Sequence, residues 1–283
     1  MFTISKAVSE DFDRVYPLFQ DFGDAPISKE TWRKIFVTPW QTTENFCGYL
    51  LLQDDAVKGY LGLIFSRRLM NDRVEKFCNM TSWIVTEECR SQSLSMLLEV
   101  LKLKDYTLTN FTASPTVATI LSKLGFTEFP VDQRILLPLP RFSGPTHGCD
   151  FNLPIIRSKL NDNDLQIFDD HQGLNCEHLL MRSNLGDCYV VLKNTVRRRL
   201  PFAKVHYLGN ADVFHYCMQR LTAAICLRLR VFGLMVDERY IQGRQFKAAA
   251  KYPHQRKAYF KSSSITDQSR IDTLYSELVI LHN

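Results

Sequence analysis

The chain opens on a short alternating stretch at residues 2–8, which predicts a strand. Val15, Leu18, Phe19 and Phe22 then recur at i, i+3, i+4 and i+7. That single apolar stripe predicts a helix, closed by Gly23. A shorter helix is expected after the cap Ser28, with Glu30 and Thr31 in its first turn. Trp32, Ile35 and Phe36 form its stripe and Pro39 stops it. Strands are predicted at 46–53, 59–67 and 74–85, joined by Asp54-Asp55 and Asn71-Asp72. Such pairs suit hairpin turns, so the three strands read as an antiparallel meander. The period then changes: Leu94, Leu97, Leu98 and Leu101 mark a helix after a serine-rich entry. A strand at 106–113 leads to a helix carrying Val117, Ile120, Leu121 and Leu124, capped by Gly125, and a last strand at 134–138 closes the half.

The second half repeats part of this order. A helix is predicted at 162–172, strands at 176–183, 188–196 and 202–208, then a helix aligning Phe214, Met218, Leu221 and Ile225. Strands at 231–237, 257–261 and 274–281 follow, while 242–255 replaces a crossover helix or forms a loop. Strand-strand-strand-helix-strand therefore occurs twice, the mark of a diverged internal duplication. Five of the eleven prolines lie between Pro130 and Pro154, with Gly144 and Gly148 among them, which places the boundary there. The expected division is a first domain at 1–140, a proline-rich connector at 141–153 and a second, degenerate domain at 154–283.

Composition adds constraints rather than a function. Hydrophobic residues at 45% and charged residues at 23% are ordinary globular usage, enough for a core in each half. The 35 basic residues barely outnumber the 30 acidic ones, and the one compact basic run is Arg197-Arg198-Arg199. That run reads as a solvated hairpin tip or, alternatively, a contact for an anionic ligand. The balance permits a nucleotide-like cofactor and gives no reason to expect a nucleic-acid partner. The eight cysteines form no C-x-x-C and sit in apolar runs, so reduced thiols and a cytoplasmic location are expected. Residues 1–12 already carry Lys6, Glu10 and Asp11, and 221–236 is interrupted by Arg228 and Arg230. Neither a signal peptide nor a membrane partner is expected.

The most informative segment runs from Val85 through Arg90, Ser91, Gln92, Ser93, Leu94 and Ser95 to Leu98. It follows a predicted strand and opens a predicted helix. A helix start offers free N–H groups and the positive end of the dipole, and small residues let a pyrophosphate approach that backbone. The segment resembles the signature of the GNAT acyl-CoA acyltransferases, Arg or Gln-x-x-Gly-x-Gly/Ala, with Arg90, Ser93 and Ser95 at the three signature positions. Serine stands where that family prefers glycine or alanine. A second stretch, Ser114-Pro115 to Gly125-Phe126, resembles the family's later helix, with Ser114 where an Asn or similar residue opens it. Leu121 occupies the place where the family usually has a tyrosine that protonates the departing thiolate, and leucine cannot donate a proton.

The resemblance implies an α/β (α+β) fold, a GNAT-like mixed central sheet flanked by helices, here duplicated in tandem. It further implies acetyl-CoA or another acyl-CoA as cofactor. Ile84 and Val85 would pair with the pantetheine arm, and Arg90, Ser91, Gln92, Ser93, Leu94, Ser95 and Ser114 would surround the cofactor. Glu75, early in the strand before that loop, lies near where the family often places a general base; the alternative is an exposed hairpin charge beside Arg73 and Lys76. In the second half the equivalent loop is Leu208-Gly209-Asn210-Ala211-Asp212, where Asp212 would repel phosphate, so that half is expected to hold no cofactor. His206 and His215 flank it, as structural histidines or as site groups. No metal is expected, Asp169-Asp170-His171 reading as a solvated helix end. Two functions follow from the resemblance: an acyltransferase acting on an amine, less readily a hydroxyl, of a small or medium acceptor, or a silent module that binds an acyl-CoA or a protein partner.

Overall fold

The predicted meander forms at the heart of one sheet, and the three strands predicted between 176 and 208 form another at the heart of a second. The computed structural model describes residues 1–20, 27–40, 42, 44–70, 73–139, 148–241, 243–246, 248–252 and 256–281. The expected features at Phe22, Gly23, Asn71, Asp72 and Gly144 lie outside the described residues.

In the first sheet β1 (Phe2–Ala7), β2 (Gly48–Gln53), β3 (Ala56–Met70) and β4 (Arg73–Val85) pair antiparallel in sequence order. Asp54 and Asp55 both hold positive φ, 48° and 65°, the two-residue turn whose twist matches its flanking strands. Helices α1 (Phe12–Phe19) and α2 (Lys29–Arg33) come before β2, and Ser28 Oγ caps α2 by accepting from the Thr31 amide at 3.1 Å. Helix α3 (Ser93–Val100) leads to β5 (Thr107–Ala113), which joins β4 in parallel. Helix α4 (Pro115–Lys123) is capped by Ser114 Oγ at 3.3 Å from the Val117 amide, and Gly125 leaves it at φ +76°.

The α3 stripe differs from expectation. Met96, Leu97 and Val100 are buried, while Leu94 and Leu98 are 42% and 47% exposed. A segment this rich in apolar residues offers two overlapping stripes one residue apart, and only packing against the sheet selects one.

A short β6 (Thr127–Phe129) follows, then β7 (Gln133–Leu136), which does not close the first sheet as expected. Pro130, between them, cannot donate to a ladder, and β7 instead pairs in the second sheet. That sheet contains β8 (Gly148–Asp150), β9 (Glu177–Ser183), β10 (Gly186–Arg197), β11 (Leu200–Leu208), β12 (Gly233–Asp237) and β13 (Ala249–Tyr252), in the order β13-β7-β12-β11-β10-β9-β8. Helices α5 (Leu153–Arg157), α6 (Asp162–His171), α7 (Ala211–Leu229) and α8 (Glu238–Ile241) accompany it. The predicted α7 stripe, Phe214, Met218, Leu221 and Ile225, is wholly buried in this core.

The reciprocal exchange is made by β14 (Lys257–Lys261), which lies between β5 and β6 in the first sheet, ordered β1-β2-β3-β4-β5-β14-β6. Residues 274–281 form no strand; Ser276 Oγ caps a short helix, α9 (Glu277–Ile280), at 3.3 Å from the Leu278 amide. The compact units are consequently interleaved along the chain. Of the described residues, the first comprises those of Met1–Glu128, Ala258–Thr266 and 275–281, and the second those of Phe129–Lys257 and Asp267–Leu274. The architecture is α/β and duplicated: two mixed seven-stranded sheets with flanking helices.

Candidate acyl-carrier site

The site is built where β4 and β5 part. Their parallel pairing is limited to Phe77–Thr107, Cys78–Leu108 and Asn79–Thr109. Beyond it the two strands are bridged by a side chain, Asn110 Nδ2 donating to the Met80 carbonyl at 3.0 Å. Between Tyr60–Ile84 and Gly62–Thr81 the register of β4 gains one residue on β3, a β-bulge, and Ser82 takes φ 49° there. Bulges bend a strand and re-aim its side chains, and they concentrate near active sites. Gly62 suits this place: a Cβ there would sit 3.0 Å from Thr81 and 3.1 Å from Tyr60.

Ile84 and Val85 close β4 against Tyr60 and Gly59, half-buried. The indole N–H of Trp83 is buried with no acceptor among the described residues. An orphaned donor beside an opening in the sheet fits a ligand that brings carbonyl or phosphate oxygens, as an acyl-CoA does.

The chain next enters a 3-10 turn, Glu87–Gln92, which runs directly into α3. The Cys89 amide bonds to the Thr86 carbonyl at 3.0 Å and the Ser93 amide to that of Arg90, so helical backbone already runs ahead of the start of α3 at Ser93. Ser91 and Leu94 are exposed, Gln92, Ser93 and Ser95 half-buried, and the Ser95 hydroxyl donates to the Gln92 carbonyl. Arg90 lies at the surface 3.7 Å from Glu87, and Lys58 pairs with Glu88 at 3.3 Å. Two acids thus share the first turn with the residues that resemble a phosphate loop. Ser114 is committed to its cap on α4, and Leu121 is buried in the core that α3 and α4 share with Cys78 and Met80.

Glu75 sits four residues before Asn79, ahead of the parallel pairing, and accepts from Ser264 Oγ at 2.8 Å. The opening has a different carboxylate. Glu277, at the start of α9, is 5% exposed and accepts from Asn79 Nδ2 at 2.6 Å and Thr112 Oγ1 at 2.8 Å. Thr109 Oγ1 donates in turn to Asn79 Oδ1 at 3.1 Å. Its signal in the sequence was a single acid inside the apolar run 274–281, visible but without a partner until the fold was known.

The second unit repeats the geometry without the loop. β11 and β12 run parallel over Phe202–Gly233, Ala203–Leu234 and Lys204–Met235, and a register shift against β10 sets one extra residue in β11 at His206. Helix α7 starts almost at once, its N-cap Asn210 accepting from the Val213 amide at 3.1 Å. A Cβ on Gly209 would lie 2.8 Å from Asp164 Oδ2, so a carboxylate already covers this turn. Asp212 faces outward and pairs with Arg244 at 2.6 Å. His206 is buried against Thr273, 2.7 Å away, and His215 packs on Phe246. His171 is fully buried between the carbonyls of Ile167 and Leu274 rather than at a solvated helix end. Its partners lie in the core because the apolar neighbours Ile167 and Phe168 carry that face of α6 inward.

No protein-family model matches the chain, and no curated protein matches it. Solved structures do. The GCN5-related N-acetyltransferase from Anabaena variabilis aligns over 92% of this chain and 72% of its own at 11% identity, with a TM-score of 0.59. That from Kribbella flavida aligns over 92% and 70% at 11% identity, TM-score 0.59. A tandem GNAT protein from the clavulanic acid biosynthesis pathway aligns over 94% of this chain and all 100% of its own at 10% identity, TM-score 0.52. The fold is that of the GNAT acyltransferases, present twice in tandem.

Proposed function

We propose that the first unit is an acyl-CoA-dependent acyltransferase whose acceptor is an amine of a small or medium-sized molecule. The observation that supports this reading is the parallel β4–β5 pair that separates after Asn79 and Thr109, with β4 bulged at Ser82 and delivered into a helix start. Past the last pair, no strand among the described residues pairs with the side of β4 that faced β5, and extended ligands pair with such edges. In this reading Ile84 and Val85 hold the pantetheine arm, and Arg90, Ser91, Gln92, Ser93, Leu94 and Ser95 meet the phosphates. Ser114 flanks them at the start of α4. Acetyl-CoA or a longer acyl-CoA supplies an activated thioester. The protein supplies position, which by itself accounts for a large share of such accelerations.

Thermal shift with CoA, acetyl-CoA and longer acyl-CoAs tests the reading. A ligand at about a hundred times its dissociation constant adds roughly 2.7 kcal/mol of stability. Ser93→Asp should remove that gain by placing a charge beside the phosphates. No shift at millimolar thioester in the parent protein would refute the proposal.

A further inference from the structure

We propose that Glu277 is the proton acceptor of this transfer, a carboxylate delivered to the β4–β5 opening of the first unit by α9. The inference rests on the acyltransferase reading and assigns its chemistry to a side chain.

Placement is the first argument. Asn79 belongs to the last parallel pair and Thr112 lies on β5 beyond it, so the carboxylate spans the two strands where their backbones cease to bond. Cys78 and Met80 face the core with α3 and α4, and alternation turns Asn79 to the opposite face of the sheet. Glu277 is therefore reached from that opposite face, away from the α3–α4 core.

Polarity is the second argument. The Thr109 hydroxyl occupies Asn79 Oδ1, which leaves the Asn79 amide hydrogens to point at Glu277 Oε2, and the Thr112 hydroxyl donates to Oε1. Both of these groups donate, an arrangement that suits an ionised carboxylate, the form from which a proton acceptor starts. Rigidity is the third. Ser276 and Val279 are fully buried beside it, and the Tyr275 ring meets Trp40 edge-on at 4.8 Å. Arg68, buried on the neighbouring strand β3, stacks among its contacts on Phe77 at 4.0 Å and on Tyr275 at 5.1 Å.

The step balances without any further reagent. The acceptor nitrogen bonds to the thioester carbon as the carbon–sulfur bond breaks. The nitrogen's proton passes to Glu277, and the departing thiolate takes that proton back as free thiol. The amide and CoA are the products, and Glu277 returns to its ionised state.

The experiment uses the full chain as parent, Glu277→Gln, Glu277→Asp and Thr112→Val. Acetyl-CoA binding is measured by calorimetry, and thiol release is followed across pH with ethanolamine, lysine, spermidine, glucosamine or water alone as nucleophile. Glu277→Gln should bind acetyl-CoA within about twofold of the parent, lose about 100-fold or more in kcat, and lose the acidic limb of the rate profile. Glu277→Asp should recover part of the rate. Thr112→Val should move the acidic limb to higher pH, because a donor to the ionised form is gone. If Glu277→Gln does not fold, that shift in Thr112→Val carries the decision. A parent that fails to bind acetyl-CoA overturns the acyltransferase reading and this assignment with it. A parent that binds acetyl-CoA yet releases thiol no faster than the spontaneous rate overturns the assignment alone, as does a Glu277→Gln variant with unchanged kcat or with binding lost in step with rate.

Discussion

His178 carries the clearest pH dependence among the single side chains. It is 4% exposed, with Nδ1 2.7 Å from Tyr189 Oη and its ring edge-on to Phe168. Burial, and then the neighbouring His171, pull its pKa down to about 4. A depressed histidine favours the folded state while it stays neutral, so its contribution is complete above about pH 6.5. It is lost as pH falls through 4, a change of roughly 3 kcal/mol. Urea denaturation between pH 8 and 4 should show that decline, and His178→Gln should flatten it. Gly209 carries a steric prediction. A Cβ there would lie only 2.8 Å from Asp164 Oδ2, and Asp164 is held in place by accepting from Tyr207 Oη at 2.6 Å. Gly209→Ala should cost about 1–3 kcal/mol as overpacking. The cost should shrink in an Asp164→Ala background, a coupling that a double-mutant cycle in denaturant measures directly.

Among the elements, the consequential ones are β7 and β14, because each completes the sheet of the other half of the sequence. β14 lies between β5 and β6, and β7 between β12 and β13. A fragment of residues 1–140 would leave β6 with no neighbour and expose the edge of β5; residues 150–283 would separate β13 from β12. Unpaired edges make both fragments prone to aggregate, and residues 150–283 would also uncover Tyr259, 2% exposed in β14 of the whole chain. Neither should give a cooperative calorimetric transition on its own, whereas residues 1–140 with β14 restored through a linker should. Cooperative melting of either plain fragment would show that the exchanged strands contribute little. The exchange was hidden from the sequence. Strands 133–136 and 257–261 were found close to their places, but short alternating runs carry no record of which sheet they join.

For the whole molecule, duplication predicts a stoichiometry. Both units have a meander, a bulged third strand and a three-pair parallel junction. The first unit puts a run of serines between strand and helix; the second moves from Leu208 to its cap at Asn210 with Asp164 against the turn. Titration calorimetry with acetyl-CoA should give one site per chain. Two sites would mean that the Asp164 carboxylate yields to phosphate. Among the described residues no helix is long and apolar enough to cross a membrane. The cysteines are free, six of them buried, and burial pushes the thiols of Cys47 and Cys188 up to about 12. Such thiols stay protonated and unreactive at neutral pH.

The sequence alone determined whatever depends on neighbours a few positions apart. The α7 stripe, the caps at Ser28 and Ser114, the exit at Gly125 and the Asp54-Asp55 turn all follow from period and backbone preference, and so does the repeated order of elements. The fold decided what depends on distant partners. Glu277 and Asn79 are 198 positions apart, and neither is unusual until the sheet opens past Asn79 and Thr109 and α9 brings Glu277 to Asn79 and Thr112. Local sequence sets dihedrals at close range, whereas strand partners and buried polar networks are settled by which distant surfaces exclude water together.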